Sequence, residues 1–90
     1  MKIEILSELL YRELEGEFVV LDINGGEFFS ADSVAIRFWE LIQTHQDEEA
    51  VIAAMQAEYD VDEPRLRADL AQFLDLLVRH EIVRLPSNES

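Results

Sequence analysis

The chain of 90 residues is long enough for one hydrophobic core, and the absence of cysteine excludes disulfides and thiolate metal sites. Its 20 acidic and 7 basic residues give a net charge of −13, which opposes binding to nucleic acid or an anionic membrane and favours basic peptides or basic protein surfaces. Glu4 interrupts the apolar start of the chain, and no stretch approaches the roughly 20 apolar residues that span a bilayer, so we expect a cytoplasmic protein without a signal peptide or membrane segment.

Residues 11–30 predict a three-stranded antiparallel sheet. Tyr11–Leu14 forms the first strand, Glu15-Gly16 a turn, and Glu17–Ile23 a second strand that is rich in Phe, Val, Leu and Ile. Asn24-Gly25 is a strong hairpin signal, because both central positions of a type I′ turn need positive φ. The third strand, Glu27–Ser30, has no later long strand to cover it, so we expect a sheet edge with unpaired backbone groups.

Three helices are predicted after the sheet. Each begins after an aspartate whose carboxylate can accept hydrogen bonds from the first turn, namely Asp32, Asp47 and Asp62. Apolar residues then recur at helical spacing, with Val34, Ala35, Phe38, Trp39, Leu41 and Ile42 in the first helix, Val51, Ile52, Met55 and Tyr59 in the second, and Leu66, Leu70, Phe73, Leu74 and Leu77 in the third. A short extended end is predicted at residues 83–85, followed by a polar tail at 86–90.

Strands followed by helices predict an α+β fold with a winged-helix-like layout, in which a three-stranded antiparallel sheet precedes three helices. We expect a single domain over residues 1–90, with an ordered core at about 8–85 and a tail at 86–90. In the third helix, Leu76 lies to one side of the core face. It is therefore either peripheral core or the wall of a groove.

The sequence shows no recognisable catalytic constellation. His45 and His80 lack the convergent partners of a metal site or an activated nucleophile, so we expect both to be structural or solvated, and we predict no catalytic residue, metal or cofactor. The Asp32-Ser33 pair resembles the phosphopantetheine-bearing site of an acyl or peptidyl carrier protein. Such carriers are all-helical, whereas strands precede Ser33 here, so Ser33 is better explained as a first-turn residue.

The order of the elements resembles the PqqD family of small peptide chaperones, also called precursor-peptide recognition elements. The resemblance is carried by residues 18–22 and 24–30, by residues 36–42 with a central Trp39, and by residues 57–62 leading into 66–83. It covers roughly residues 11–83, and no single motif in it is diagnostic. The sequence departs from the family at Ala31-Asp32, where Leu-Asn or Leu-Asp is frequent, and at His80-Glu81, where a glycine commonly closes the last helix.

The resemblance implies a function in the biosynthesis of ribosomally made, post-translationally modified peptides. Family members bind the leader segment of a precursor peptide between the third strand and the third helix, where the leader adds as a fourth strand. On this chain the corresponding residues are Glu27, Phe28, Phe29 and Ser30 on the strand and Arg65, Asp69, Phe73 and Leu76 on the helix.

The resemblance also suggests what each side chain would bind. Phe73 and Leu76 would receive an apolar leader residue, Asp69 and Glu27 a cation, and Arg65 an acid. Alternation places Phe28 and Phe29 on opposite faces of the strand without deciding which of them faces the cleft. Trp39 is expected in the core.

We therefore predict a non-catalytic chaperone that presents a precursor leader peptide to a modifying enzyme, such as a radical SAM protein, a leader peptidase or a cyclase. It would be a monomer or a strand-paired dimer and would bind neither nucleic acid nor membrane. One alternative is a winged-helix DNA-binding regulator, supported by Arg65, Arg67 and Arg79 on the third helix. The other is a carrier protein modified on Ser33.

Overall fold

The computed structural model describes residues 1–86, so residues 87–90 of the predicted polar tail lie outside the described residues. This part of the chain forms β1 (Glu4–Ile5), β2 (Leu9–Leu14), β3 (Glu17–Asp22), β4 (Glu27–Ala31), α1 (Ser33–His45), α2 (Glu48–Glu58), α3 (Glu63–Arg79) and β5 (Val83–Arg84). The predicted α+β fold is confirmed. The three predicted strands correspond to β2, β3 and β4, and the predicted extended end corresponds to β5.

The main sheet is antiparallel, with β3 between β2 and β4. Its first hairpin pairs Leu14 with Glu17 across a two-residue turn. The turn residues Glu15 and Gly16 have φ values of 52° and 87°, as a type I′ turn requires. Within residues 1–86, β4 pairs with β3 alone, so the third strand of this sheet is an edge, as predicted.

The second hairpin differs from the type I′ turn predicted at Asn24-Gly25. Its loop holds residues 23–26, and the N–H of Gly26 donates to the C=O of Asp22 at 2.7 Å. Gly26 has φ 71°, whereas Asn24 and Gly25 do not have positive φ. Gly25 is instead required for space, because a Cβ there would lie 2.6 Å from the carboxylate of the buried Asp22.

All three predicted helix caps are confirmed. The carboxylates of Asp32, Asp47 and Asp62 accept hydrogen bonds from the N–H groups three residues later, at 2.8, 3.0 and 3.3 Å respectively. The apolar faces of the three helices meet the inner face of the sheet in one core. Trp39 is 1% exposed, which confirms that it belongs to this core. No helix among the described residues is both long and apolar enough to cross a membrane.

The N-terminal residues also join the core, which the sequence analysis did not predict. β1 pairs antiparallel with β5, so that residues 4 and 5 lie opposite residues 84 and 83. Ile3 is fully buried, and its N–H donates to the C=O of Gln46 at 2.9 Å. The ordered core therefore begins before residue 8, because pairing with the C-terminal strand holds the first residues against the helices.

Candidate functional site

β4 presents a line of backbone groups along its outer edge. The N–H of Ile23 donates to the C=O of Glu8, in the register that pairs β2 with β3. Because hydrogen-bonded pairs alternate along antiparallel strands, the odd-numbered residues of β3 bond to β2 and the even-numbered ones to β4. Phe29 lies opposite an even-numbered residue and bonds to β3. The backbone groups of Phe28 and Ser30 therefore point away from β3, at an edge that no residue from 1 to 86 pairs with.

The two phenylalanines of β4 lie on opposite faces of the sheet, and the structure shows which one faces the helices. Phe29 is half-buried against the core, and its ring stacks on that of His80 with the ring centroids 6.0 Å apart. Phe28 is 69% exposed on the other face. Phe29 is therefore directed towards α3, whereas Phe28 contributes backbone groups to the edge and turns its side chain away.

α3 approaches this edge at its capping residue, His80, which contacts Glu27 and Phe29 of β4. One stripe of side chains is spaced by three or four residues along the helix and consists of Arg65, Asp69, Gln72, Leu76 and His80. His80 contacts β4 directly, since its Nδ1 lies 2.7 Å from Oε1 of Glu27. The five residues of β4 extend over about 16 Å, and the helical rise from Asp69 to His80 is also about 16 Å. The space between them, here called the groove, therefore matches about five residues of extended chain.

A cavity of about 340 Å³ lies along the same stripe, between α3 and the start of α1. It is lined by Asp32, Val34, Ala35 and Phe38 on one side and by Asp69, Gln72 and Phe73 on the other. The rings of Phe38 and Phe73 stack with centroids 6.1 Å apart, which gives the cavity an aromatic wall. Two of the predicted helix residues, Asp69 and Phe73, thus lie in one cavity.

The other predicted helix residues lie on the same stripe but outside this cavity. Arg65 is exposed one turn before Asp69 and makes no ion pair with any residue from 1 to 86. Leu76 is half-buried midway between Gln72 and His80. Gln72 and His80 are not among the residues predicted from the sequence, although Gln72 lies three residues after Asp69 and His80 seven after Phe73, a helical spacing that indicates a shared face.

The groove is bordered mainly by negative charge. The carboxylates of Glu27, Asp32 and Asp69 lie at its two ends, and none of them forms an ion pair with a lysine or arginine of the described residues. His80 lies at one end of the stripe and Arg65 at the other. A bound peptide with basic residues would therefore be attracted by most of the border.

The other arginines of α3 are already neutralised. Arg67 hydrogen-bonds to Glu49 at 2.9 Å and to Glu63 at 2.6 Å, and these hydrogen bonds raise its pKa. Arg79 lies 3.4 Å from Asp75. Because DNA-binding surfaces act through basic side chains that face the phosphates, two of the three arginines that favoured a DNA-binding regulator do not serve that purpose.

The groove presents a strand edge, aromatic rings and carboxylates. No cluster of three or more His, Asp or Glu side chains that could hold a metal is found in residues 1–86. Ser33 is exposed at the first position of α1, next to its cap. A strand edge, an aromatic cavity and carboxylates together suit an extended peptide with apolar and basic side chains.

Comparisons with known proteins agree with this geometry. The family model described as Coenzyme PQQ synthesis protein D (PqqD) matches residues 17–83. No curated protein matches the sequence. A solved structure described as "TbiB1 in Complex with the TbiA(beta) Leader Peptide" is similar, with a TM-score of 0.75 and 29% sequence identity. The similarity covers 94% of this chain and 99% of that chain.

Proposed function

Because the chain belongs to the PqqD family, we propose that it is a non-catalytic chaperone for the leader segment of a ribosomally made precursor peptide. The leader adds as a fourth strand along the edge of β4, and its inward side chains lie against α3. The main support for this proposal is that the N–H and C=O groups of Phe28 and Ser30 point away from β3, at the edge beside the α3 stripe. The similarity to a protein solved with a leader peptide supports the same class of ligand.

The free energy of strand addition explains why the groove needs side-chain anchors as well. Phe28 and Ser30 offer two N–H and two C=O groups, and four backbone hydrogen bonds contribute about 2–6 kcal/mol at typical net values. Micromolar affinity requires about 8 kcal/mol. The remainder comes from apolar contacts with Phe29 and with the cavity beside Phe73, and from attraction between basic leader residues and the acidic border.

The bound leader is then presented to a separate modifying enzyme, such as a radical SAM protein, a leader peptidase or a cyclase. In this division of labour the groove needs only binding groups, namely the edge of β4 and the cavity beside Phe73. The edge of β4 also allows two copies to pair strand to strand. In that case the leader competes with the second copy, so we expect the leader-bound form to be a monomer.

Isothermal titration calorimetry with the leader peptide encoded beside this gene tests the proposal. We expect a dissociation constant in the micromolar range or below, roughly −8 kcal/mol or more favourable, and no binding of a scrambled peptide of the same composition. Duplex DNA in the same buffer is expected not to bind. Failure of every neighbouring leader to bind would overturn the proposal, and steep salt-dependent binding of DNA would favour the regulator instead.

A further inference from the structure

The face of the main sheet that points away from the helices is unusually apolar. Its large exposed side chains are Leu10, Leu14 and Phe28, which are 52%, 50% and 69% exposed. Val19 and Leu21 lie half-buried between them, and the group, together with Tyr11 and Arg12, borders a shallow hollow of about 380 Å³. Leu10, Leu14, Val19, Leu21 and Phe28 are here called the outer apolar face. The water-exposed face of an antiparallel sheet normally alternates to polar residues, so this composition indicates a surface that is covered in use.

A second copy of this chain is a poor match for the outer apolar face. Each copy carries a net charge of −13, so two copies repel each other as they approach. The charged residues on this face of the sheet are Arg12, opposite Val19, and Glu17, on the same side of β3 as Val19 and Leu21, and the exposed Glu15 lies at the adjacent turn. A partner that presents an apolar patch bordered by lysine and arginine would complement both the apolar face and the net charge of −13 on this chain.

We propose that the outer apolar face docks the peptide-modifying enzyme, through an apolar patch bordered by basic residues on that enzyme. This inference rests on the proposed function, because it requires that a leader be presented. It separates two surfaces of one small domain: the groove side binds the leader, and the opposite side of the same sheet binds the enzyme.

The two surfaces meet at Phe28. Its backbone groups belong to the edge where the leader adds, and its side chain belongs to the outer apolar face. In an antiparallel pair, directly opposite residues point to the same face. The leader residue opposite Phe28 therefore points outwards and widens the outer apolar face. The enzyme thus contacts a larger surface on the loaded chaperone than on the empty one.

The test uses the purified modifying enzyme encoded beside this gene, immobilised for biolayer interferometry, and the full-length chaperone with and without its leader. We expect the double variant Leu10→Ser/Leu14→Ser to bind the enzyme at least ten-fold more weakly than the wild type and to keep its leader affinity within two-fold. The matched control Val78→Ser removes a 39%-exposed apolar side chain from α3 and is expected to change neither affinity. We also expect the loaded wild type to bind the enzyme several-fold more tightly than the empty one.

The outcomes separate this inference from the proposed function. If the wild type binds no leader, the proposed function fails and this inference fails with it. If leader binding is normal but Leu10→Ser/Leu14→Ser binds the enzyme like the wild type, the docking face alone is overturned. Sedimentation equilibrium that shows a wild-type dimer abolished in the double variant, with enzyme affinity unchanged, would assign the face to a second copy instead.

Discussion

His80 and Glu27 join the two walls of the groove. Nδ1 of His80 lies 2.7 Å from Oε1 of Glu27, and the His80 ring stacks on Phe29 with the ring centroids 6.0 Å apart. These contacts hold the end of α3 against the start of β4, although the two residues are 53 positions apart in the sequence. They therefore set the spacing of the walls at one end, where the groove must still accept an extended chain.

Replacing His80 with alanine is expected to affect binding more than folding. The side chains of His80 and Glu27 are 34% and 58% exposed, and exposed polar side-chain contacts contribute little, so we expect the free energy of unfolding to fall by about 1 kcal/mol or less. Leader affinity is expected to fall by about three- to ten-fold, or about 0.7–1.4 kcal/mol, because the groove loses part of its wall. Urea denaturation and calorimetry measure the two effects. The control is Val78→Ala, and equal leader affinities for both variants would show that His80 is not part of the binding surface.

The edge of β4 can be tested with a single backbone substitution. The N–H of Ser30 points away from β3, so Ser30→Pro removes a donor for the leader without breaking the sheet. We expect Ser30→Pro to bind the leader about ten-fold more weakly than Ser30→Ala, because a hydrogen bond is lost and the proline ring crowds the added strand. Proline at Phe29 is not suitable, since that N–H bonds to β3.

The matched control lies on the opposite edge of the same sheet. Glu13 is an odd-numbered residue of β2, whose even-numbered residues bond to β3, so its N–H also points away from the sheet. Glu13→Pro should leave leader affinity unchanged. Thermal unfolding of both variants checks that the sheet is intact, and equal losses for the two proline variants would contradict binding at β4.

Much of the fold follows from local signals in the sequence. Aspartate caps and three- or four-residue apolar spacing predicted all three helices, because capping and amphipathicity are properties of neighbouring residues. The two-residue turn at Glu15-Gly16 was predicted for the same reason. β1 was missed because two residues carry no periodicity, and their pairing partner lies at the other end of the chain. The type I′ turn predicted at Asn24-Gly25 was wrong, because neither residue has positive φ. Gly25 is required because a Cβ at that position would clash with the carboxylate of Asp22.

The site could be predicted in outline and not in detail. An uncovered third strand beside a helix flank is visible in the sequence, and Asp69 and Phe73 do share a cavity. The orientation of β4 could not be predicted, because alternation fixes only that Phe28 and Phe29 differ. It follows from the hydrogen-bond pairing with β3, which depends on the register of both hairpins. That register assigns Phe28 to the outer apolar face.

The core contains a polar group that makes one substitution informative. Nε1 of the buried Trp39 has no hydrogen-bond partner within residues 1–86. An unpaired buried donor costs about 1–3 kcal/mol, so Trp39→Phe relieves this cost while it removes volume. We expect Trp39→Phe to lower the free energy of unfolding by less than about 1.5 kcal/mol, whereas Leu70→Ala lowers it by about 3 kcal/mol. A similar loss for both variants would indicate that the indole N–H is paired, for example with a buried water.

The ion pair between Arg37 and Glu58 predicts a pH dependence of stability. The guanidinium of Arg37 donates hydrogen bonds to both carboxylate oxygens of Glu58, and the bond from Nε to Oε1 is 2.8 Å long. These bonds lower the pKa of Glu58 from its usual 4.5. A carboxyl group with a lowered pKa stabilises the folded state above its unfolded pKa and loses that effect as the pH falls through its folded pKa. The difference in unfolding free energy between the wild type and Glu58→Gln should therefore be constant at neutral pH and shrink below about pH 4.5. In an Arg37→Gln background this pH dependence should largely disappear.

Asp69 tests whether the cavity, rather than the overall charge, selects basic leaders. Asp69 lines the cavity beside Phe73, so a leader lysine or arginine can place its aliphatic stem on the ring and its charge near Asp69. We expect Asp69→Asn to weaken leader binding by about three- to ten-fold at low salt and by less at 0.5 M salt, where charges are screened.

Asp60→Asn removes the same charge from the segment before α3, so it serves as the control. Because general attraction by a −13 chain would treat both variants alike, equal losses would mean that Asp69 contributes only to net charge. If only Asp69→Asn weakens leader binding, the cavity is selective. If this difference disappears for a leader whose basic residue is changed to glutamine, that basic residue binds in the cavity.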